Sequence, residues 1–150
     1  MRRDIQRLWF AGLWLLAGAA PAAADVEVRD LWIAETPPGA MAAAAFMVLA
    51  NDGTEPRLVV RATSPACERI EFHQTEMDGD IARMREQKSL RVPADGHLTL
   101  EPGGTHMMLI RPTALRAGDR VAIDLELAGG ENLAIEAVVR RRGPRGNHEH

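Results

Sequence analysis

From Val26 onward the chain is cut into short alternating stretches, each closed by residues that favour turns, and this punctuation leaves no room for a long helix. Val26 and Val28 alternate with charged neighbours, and Leu31 and Ile33 follow. Thr36-Pro37-Pro38-Gly39 then ends the run, because neither proline can donate to a ladder and Gly permits a turn. Ala42 to Leu49 is closed by Asn51-Asp52-Gly53, and Arg57 to Ala62 by Ser64-Pro65. Ile70 to Gln74 and Ile81 to Met84 read as the arms of one hairpin around Asp78-Gly79-Asp80, a turn of the Asp-Gly kind. Leu98 and Leu100 alternate with polar neighbours, Pro102-Gly103-Gly104 precedes the run Thr105 to Ile110, and Gly129-Gly130 joins Val121 to Leu127 with Leu133 to Val139. The expectation is an all-β domain, a sandwich or small barrel of seven to eight strands, with no internal repeat and no linker.

The segment before it has a different character. Arg2, Arg3 and Arg7 give a basic start, Leu8 to Ala20 is almost wholly apolar, and Pro21 precedes Ala22-Ala23-Ala24. This is the pattern of a signal peptide over residues 1–24, cleaved after Ala24. The apolar run is interrupted by Gly12 and Gly18 and is short for a membrane span, so no stable membrane insertion is expected after cleavage. Residues 25–140 are expected to form the folded domain. Residues 141–150, with Arg141-Arg142, Gly, Pro, Asn and two His, have little to bury and are expected to be a disordered tail.

Charge and cysteine usage narrow the function. Of 18 Lys and Arg and 21 Asp and Glu, the first 24 residues hold Arg2, Arg3, Arg7 and Asp4, so the remainder carries 15 against 20, the opposite of a nucleic-acid footprint. Cys67 is the single cysteine, which excludes an intramolecular disulfide and a thiolate-rich metal site. Sulfur is plentiful in another form, as Met41, Met47, Met77, Met84, Met107 and Met108. No phosphate loop, nucleophile elbow or HExxH helix occurs, and no pair of acidic residues can be set across a cleft, so no turnover is expected.

His106 and Met108 lie two apart in an expected strand, so imidazole and thioether leave the same face while Met107 points to the core. Such donors are soft and neutral; they suit Cu(I), and Mg, Ca or Mn poorly. A thioether also has no proton to lose, so only the imidazole must be neutral. The bland alternative is a core Met beside an ordinary surface His. His73 faces with Glu71, Met84 shares the parity of Ala82, and Met77 reads either as a further sulfur ligand or as a turn residue. Cys67 lies six residues before His73, far from the loop position a blue-copper site requires, and reads as a small buried hydrophobe or a free thiol.

Together these residues spell H-x10-M-x21-H-x-M, from His73 through Met84 to His106 and Met108. The pattern resembles the periplasmic copper chaperones of the PCuAC family. The context agrees at Trp32, Thr36 to Ala40, the Ala-rich run to Phe46, Ser64-Pro65-Ala66, Met77-Asp78-Gly79, Val92-Pro93-Ala94 and Glu101 to Gly104, over roughly Val26 to Val139. Ala34 stands where many relatives have Arg, and Cys67 is an addition; neither is a ligand position.

The resemblance implies a cupredoxin-like β-sandwich with Greek-key connections, acting as a monomer in the periplasm. It implies one Cu(I) held by His73, Met84, His106 and Met108 and delivered to a copper-receiving protein. That recipient would be the copper centre of cytochrome c oxidase or another thiol-bearing copper chaperone. Cu(II) at the tail, through His148 and His150, is a further expectation. The same ligands would equally serve a copper store or buffer, and a secreted β-sandwich binding module with incidental Met and His is the rival of a different class.

Overall fold

The structure, a computed structural model, describes residues 26–141. The expected signal peptide, its expected cleavage site and the tail with His148 and His150 lie outside the described residues. Ten strands follow one another without a helix among the described residues. They are β1 (Val26–Ala34), β2 (Ala42–Asn51), β3 (Arg57–Thr63), β4 (Arg69–Asp78), β5 (Ile81–Gln87), β6 (Leu90–Val92), β7 (Gly96–Leu100), β8 (Thr105–Ile110), β9 (Arg120–Leu127) and β10 (Asn132–Arg140). This exceeds the seven to eight expected. With three residues, β6 is too short for alternation to be visible in the sequence.

The hydrogen-bonded order is β5-β4-β8-β2-β1-β10-β9-β3-β6, with β7 also on β2. The path rolls over, so β3 packs against β4, and β6 against β2 and β7, across the core. The result is a two-layered β-sandwich of the cupredoxin-like kind. Most pairings are antiparallel, but β1 and β10 run parallel, with Trp32 beside Val138.

Alternation assigns the faces. In β2, Ala43, Ala45, Met47 and Leu49 are buried in the core, while Ala44, Phe46 and Val48 look outward. In β8, Met107 and Leu109 are fully buried and meet Ile123, Leu125 and Leu127 of β9 in the same core cluster. Each such side chain contributes about 1.5–3 kcal/mol by leaving water.

Two local features set up the outward face. β7 pairs with β2 over Met47 to Asn51 and β8 pairs with β2 over Ala42 to Ala45, so the two strands lie end to end. Between them Pro102 to Gly104 leaves the sheet as a short excursion, closed by the Glu101 N–H donating to the Thr105 carbonyl at 2.8 Å. Gly103 has φ of 84°, a left-handed conformation costly for any side chain. The second feature is the β4–β5 hairpin. Asp78 pairs with Ile81, so the loop is Gly79-Asp80 and not the expected Asp-Gly. Gly79 alone takes a positive φ there, 62°, as a II′ turn requires of its first central residue.

Candidate metal centre

Glu71, His73, Thr75 and Met77 alternate along one face of β4, and the pairing register carries that face onto both neighbours. Toward β8, Glu71 stands beside Met108 and His73 beside His106. Toward β5, Thr75 stands beside Met84 and His73 beside Glu86. Met84 is therefore diagonal to His73, one pleat further along the hairpin, and not directly across from it. All four sequence-predicted ligands, His73, Met84, His106 and Met108, share the outward face of three adjacent strands.

The imidazoles of His73 and His106 are 5.8 Å apart between ring centroids and nearly perpendicular, at 73°. Phe46 extends the row on β2, 6.5 Å from His106, and Trp32 on β1 covers Phe46 at 4.7 Å. Under this cover His106 retains 5 % of its exposure, although it faces away from the core. Met108 is half-buried beside Ala44 and Glu71. Met84 is the outlying member, 63 % exposed.

Each ring has one nitrogen spoken for by an acceptor. His106 Nδ1–H donates to the Gly104 carbonyl at 3.0 Å, which leaves Nε2 of the neutral ring as a bare lone pair. The same carbonyl accepts from the Thr75 N–H at 3.2 Å, so the excursion after β7 is tied to both His106 and the hairpin. His73 Nε2 lies 3.0 Å from Glu71 Oε2. Partial burial by itself would raise the Glu71 pKa. The hydrogen bonds from His73 and Arg69, with the Arg69 charge, outweigh it and hold the carboxyl below its usual value. An ionised carboxylate only accepts, so the neutral His73 carries its proton on Nε2. Its Nδ1 is then an acceptor, and that atom is buried without a hydrogen-bond partner. A buried lone pair with nothing to accept is costly in a finished fold and apt for a metal ion.

This face thus gathers two imidazoles, each with one ring nitrogen not engaged by the protein, and two thioethers. Among the described residues no three His, Cys, Asp or Glu side chains gather as a metal site, so the hard or zinc-like combinations are not assembled. Thioether with imidazole is the combination that suits Cu(I). The remaining candidates fall elsewhere or inward. Met107 is fully buried. Cys67 precedes β4, half-buried against the core, with its sulfur 3.9 Å from the Ser64 carbonyl. Burial pushes that thiol's pKa up, opposed by a backbone hydrogen bond at Arg69. Met77 is on the ligand face but beyond Met84, near the hairpin tip, and 66 % exposed.

Glu71, the Gly104 carbonyl and the Trp32–Phe46 cover are parts of this site that ligand spacing alone does not reveal. For Glu71 a signal exists, since it lies two residues before His73 and so shares its face.

The family model whose description reads "Putative lipoprotein LpqE-like" matches residues 26–139. The chain belongs to the LpqE-like family, of the PCuAC type. A relative from Leifsonia xyli, "Putative lipoprotein Lxx21020", is 33 % identical over 117 residues, which are 77 % of this chain and 69 % of that one. Among solved structures, apo-DR1885 from Deinococcus radiodurans is 30 % identical, with 95 % of each chain covered and a TM-score of 0.62. The Cu(I) form of DR1885 is 31 % identical over 84 % of this chain and 83 % of that one. A copper-bound PCuAC domain from PmoF2 superposes with a TM-score of 0.68 over 79 % of this chain and 94 % of that domain at 17 % identity, a likeness of fold. For this LpqE-like chain the cupredoxin-like sandwich is therefore the family's fold, with the outward face of β5-β4-β8 available for chemistry. Ala34 ends β1, and Cys67 precedes β4.

Proposed function

We propose that this protein is a periplasmic copper metallochaperone that holds one Cu(I) through His73, Met84, His106 and Met108. The observation that carries the reading is the buried, unpartnered Nδ1 of His73 next to His106, on the face that also bears two thioethers. The Cu(I) form of the DR1885 relative supports the choice of ion. The word lipoprotein in the names of the family and of the Leifsonia relative supports export.

Delivery follows from the donors. Neutral thioethers bind Cu(I) more weakly than thiolates, so a recipient offering two cysteines takes the ion by stepwise exchange, each incoming sulfur displacing an outgoing one. Met84, exposed at the rim, is where an incoming thiolate meets the ion first, while His106 lies under its aromatic cover. A recipient with a thiolate-rich centre, such as the copper centre of cytochrome c oxidase, fits this gradient. The tail pair His148 and His150 would add a separate Cu(II) site.

A Cu(I) competition titration against a chromophoric chelator tests the reading. It compares the full chain, a version ending at Arg140, and His106→Ala combined with Met108→Ala. One-to-one binding that survives truncation and collapses in the double variant is expected. Binding lost on truncation alone would assign copper to the tail and leave the sandwich a module without a metal role.

A further inference from the structure

The β4–β5 hairpin projects past the β7–β8 excursion, and its two faces differ in chemistry. One face carries ion pairs across the strands, Arg83 with Asp78 at 3.0 Å and Arg85 with Glu76 at 2.9 Å, together with Ile81. The other continues the ligand face with Met77, Ala82 and Met84. Met77 and Met84 are 66 % and 63 % exposed, and the residues paired directly across from them are the short Ala82 and Thr75. Two unbranched thioethers held in water above a charged face contribute nothing to the core.

Distance along the strand decides what Met77 can do. Met84 pairs with Thr75, two residues from His73, or roughly 7 Å along a strand rising about 3.3 Å per residue. Met77 is four residues from His73, roughly 13 Å by the same measure. A thioether cannot span that and join an ion held between His73 and His106. Met77 and Met84 are themselves diagonal neighbours across the hairpin, about 7–8 Å apart at the backbone, within reach of two long side chains converging on one ion.

We propose that Met77 forms, with Met84, an outer Cu(I) station through which the ion enters and leaves the inner site. This inference rests on the Cu(I) reading of that inner site. The ion is first held between the two sulfurs; Met84 keeps its bond and swings inward; His73, His106 and Met108 then replace Met77. Copper stays in the +1 state throughout; one neutral donor, Met77, leaves and three neutral donors join, so the ion gains two ligands on moving inward. Release runs the same sequence in reverse, presenting the ion on the hairpin tip to incoming thiolates.

The test is stopped-flow transfer of Cu(I) from its bicinchoninate complex to the full chain, and from the loaded chain to a peptide with two cysteines. Equilibrium affinity is measured in parallel for wild type, Met77→Leu and Ile81→Ala, the last from the opposite face. The expected result for Met77→Leu is unchanged affinity with both transfer rates slowed roughly tenfold, as loss of a tethered donor implies, and wild-type rates for Ile81→Ala. Unchanged rates in Met77→Leu would overturn the outer station. So would a fall in affinity with faster release, which would make Met77 a resting ligand. Failure of the wild type to bind one equivalent of Cu(I) would instead defeat the inner-site reading, and the station with it.

Discussion

Glu71 Oε2 sits 3.0 Å from Nε2 of His73, two residues further along the same strand, and the far nitrogen of that imidazole is buried with no partner of its own. The carboxylate is in turn held by Arg69 at 2.7 Å. A chain of contacts from guanidinium to carboxylate to imidazole therefore aims a lone pair.

Replacing Glu71 with Ala is expected to weaken Cu(I) binding about 10–100-fold, the usual consequence of losing a partner that orients a metal-binding imidazole. Glu71→Gln, whose side-chain oxygen still accepts, should retain most of the affinity. Chelator competition gives the affinities, and 15N chemical shifts of the His73 ring report the tautomer. An unchanged tautomer and affinity in Glu71→Ala would remove Glu71 from the site.

Two methionines on opposite faces should separate stability from copper. Met107 is fully buried, and Met107→Ala should cost about 2–5 kcal/mol in denaturant unfolding. Met84 is mostly exposed, and Met84→Ala should change stability by less than about 0.5 kcal/mol. Copper affinity should move the other way, falling in Met84→Ala and holding in whatever fraction of Met107→Ala remains folded.

Trp32 is expected to report the ion optically. It touches Phe46, which touches His106, and in a version beginning at Asp25 it is the single Trp, since Trp9 and Trp14 come earlier in the sequence. Cu(I) added to that version should quench its emission in proportion to occupancy, and His106→Ala should abolish the change. Quenching of equal size in that variant would point to a copper site elsewhere.

Cys67 should be a slow thiol. Its pKa is raised chiefly by burial, so at pH 8 iodoacetamide should alkylate it more slowly than it alkylates glutathione. The sign for stability follows: the neutral thiol is favoured in the fold, its contribution is complete below the pKa of the unfolded thiol, and it is lost as pH rises through the higher folded value. Cys67→Ser should leave Cu(I) affinity unchanged.

Much of this architecture was legible in the sequence because it is local. Turn residues mark nearly every strand boundary, and period-two alternation sends Met107 inward and His106 and Met108 outward without reference to anything distant. Spacing was legible too, which is why the resemblance to the PCuAC pattern finds the face that the register assembles. What spacing does not carry is pairing. The offset that sets Met84 diagonal to His73 depends on the loop being Gly79-Asp80, a shift of one residue from the Asp-Gly turn the sequence suggests. The burial of His106 depends on Trp32 and Phe46 arriving from two other strands, and the extra strand β6 is too brief to show a period.

The parallel contact between β1 and β10 has a bearing on how such a molecule comes into being. Trp32, near the beginning, is seated against Val138, near the end, so the wall behind His106 is not finished until almost the whole chain is present. Pairings this remote in sequence form late and slowly. A nascent chain therefore has His73, Met84, His106 and Met108 well before it has the cover that buries His106. On the Cu(I) reading proposed above, loading waits for the last strand to close, and a retained ion reports a finished fold.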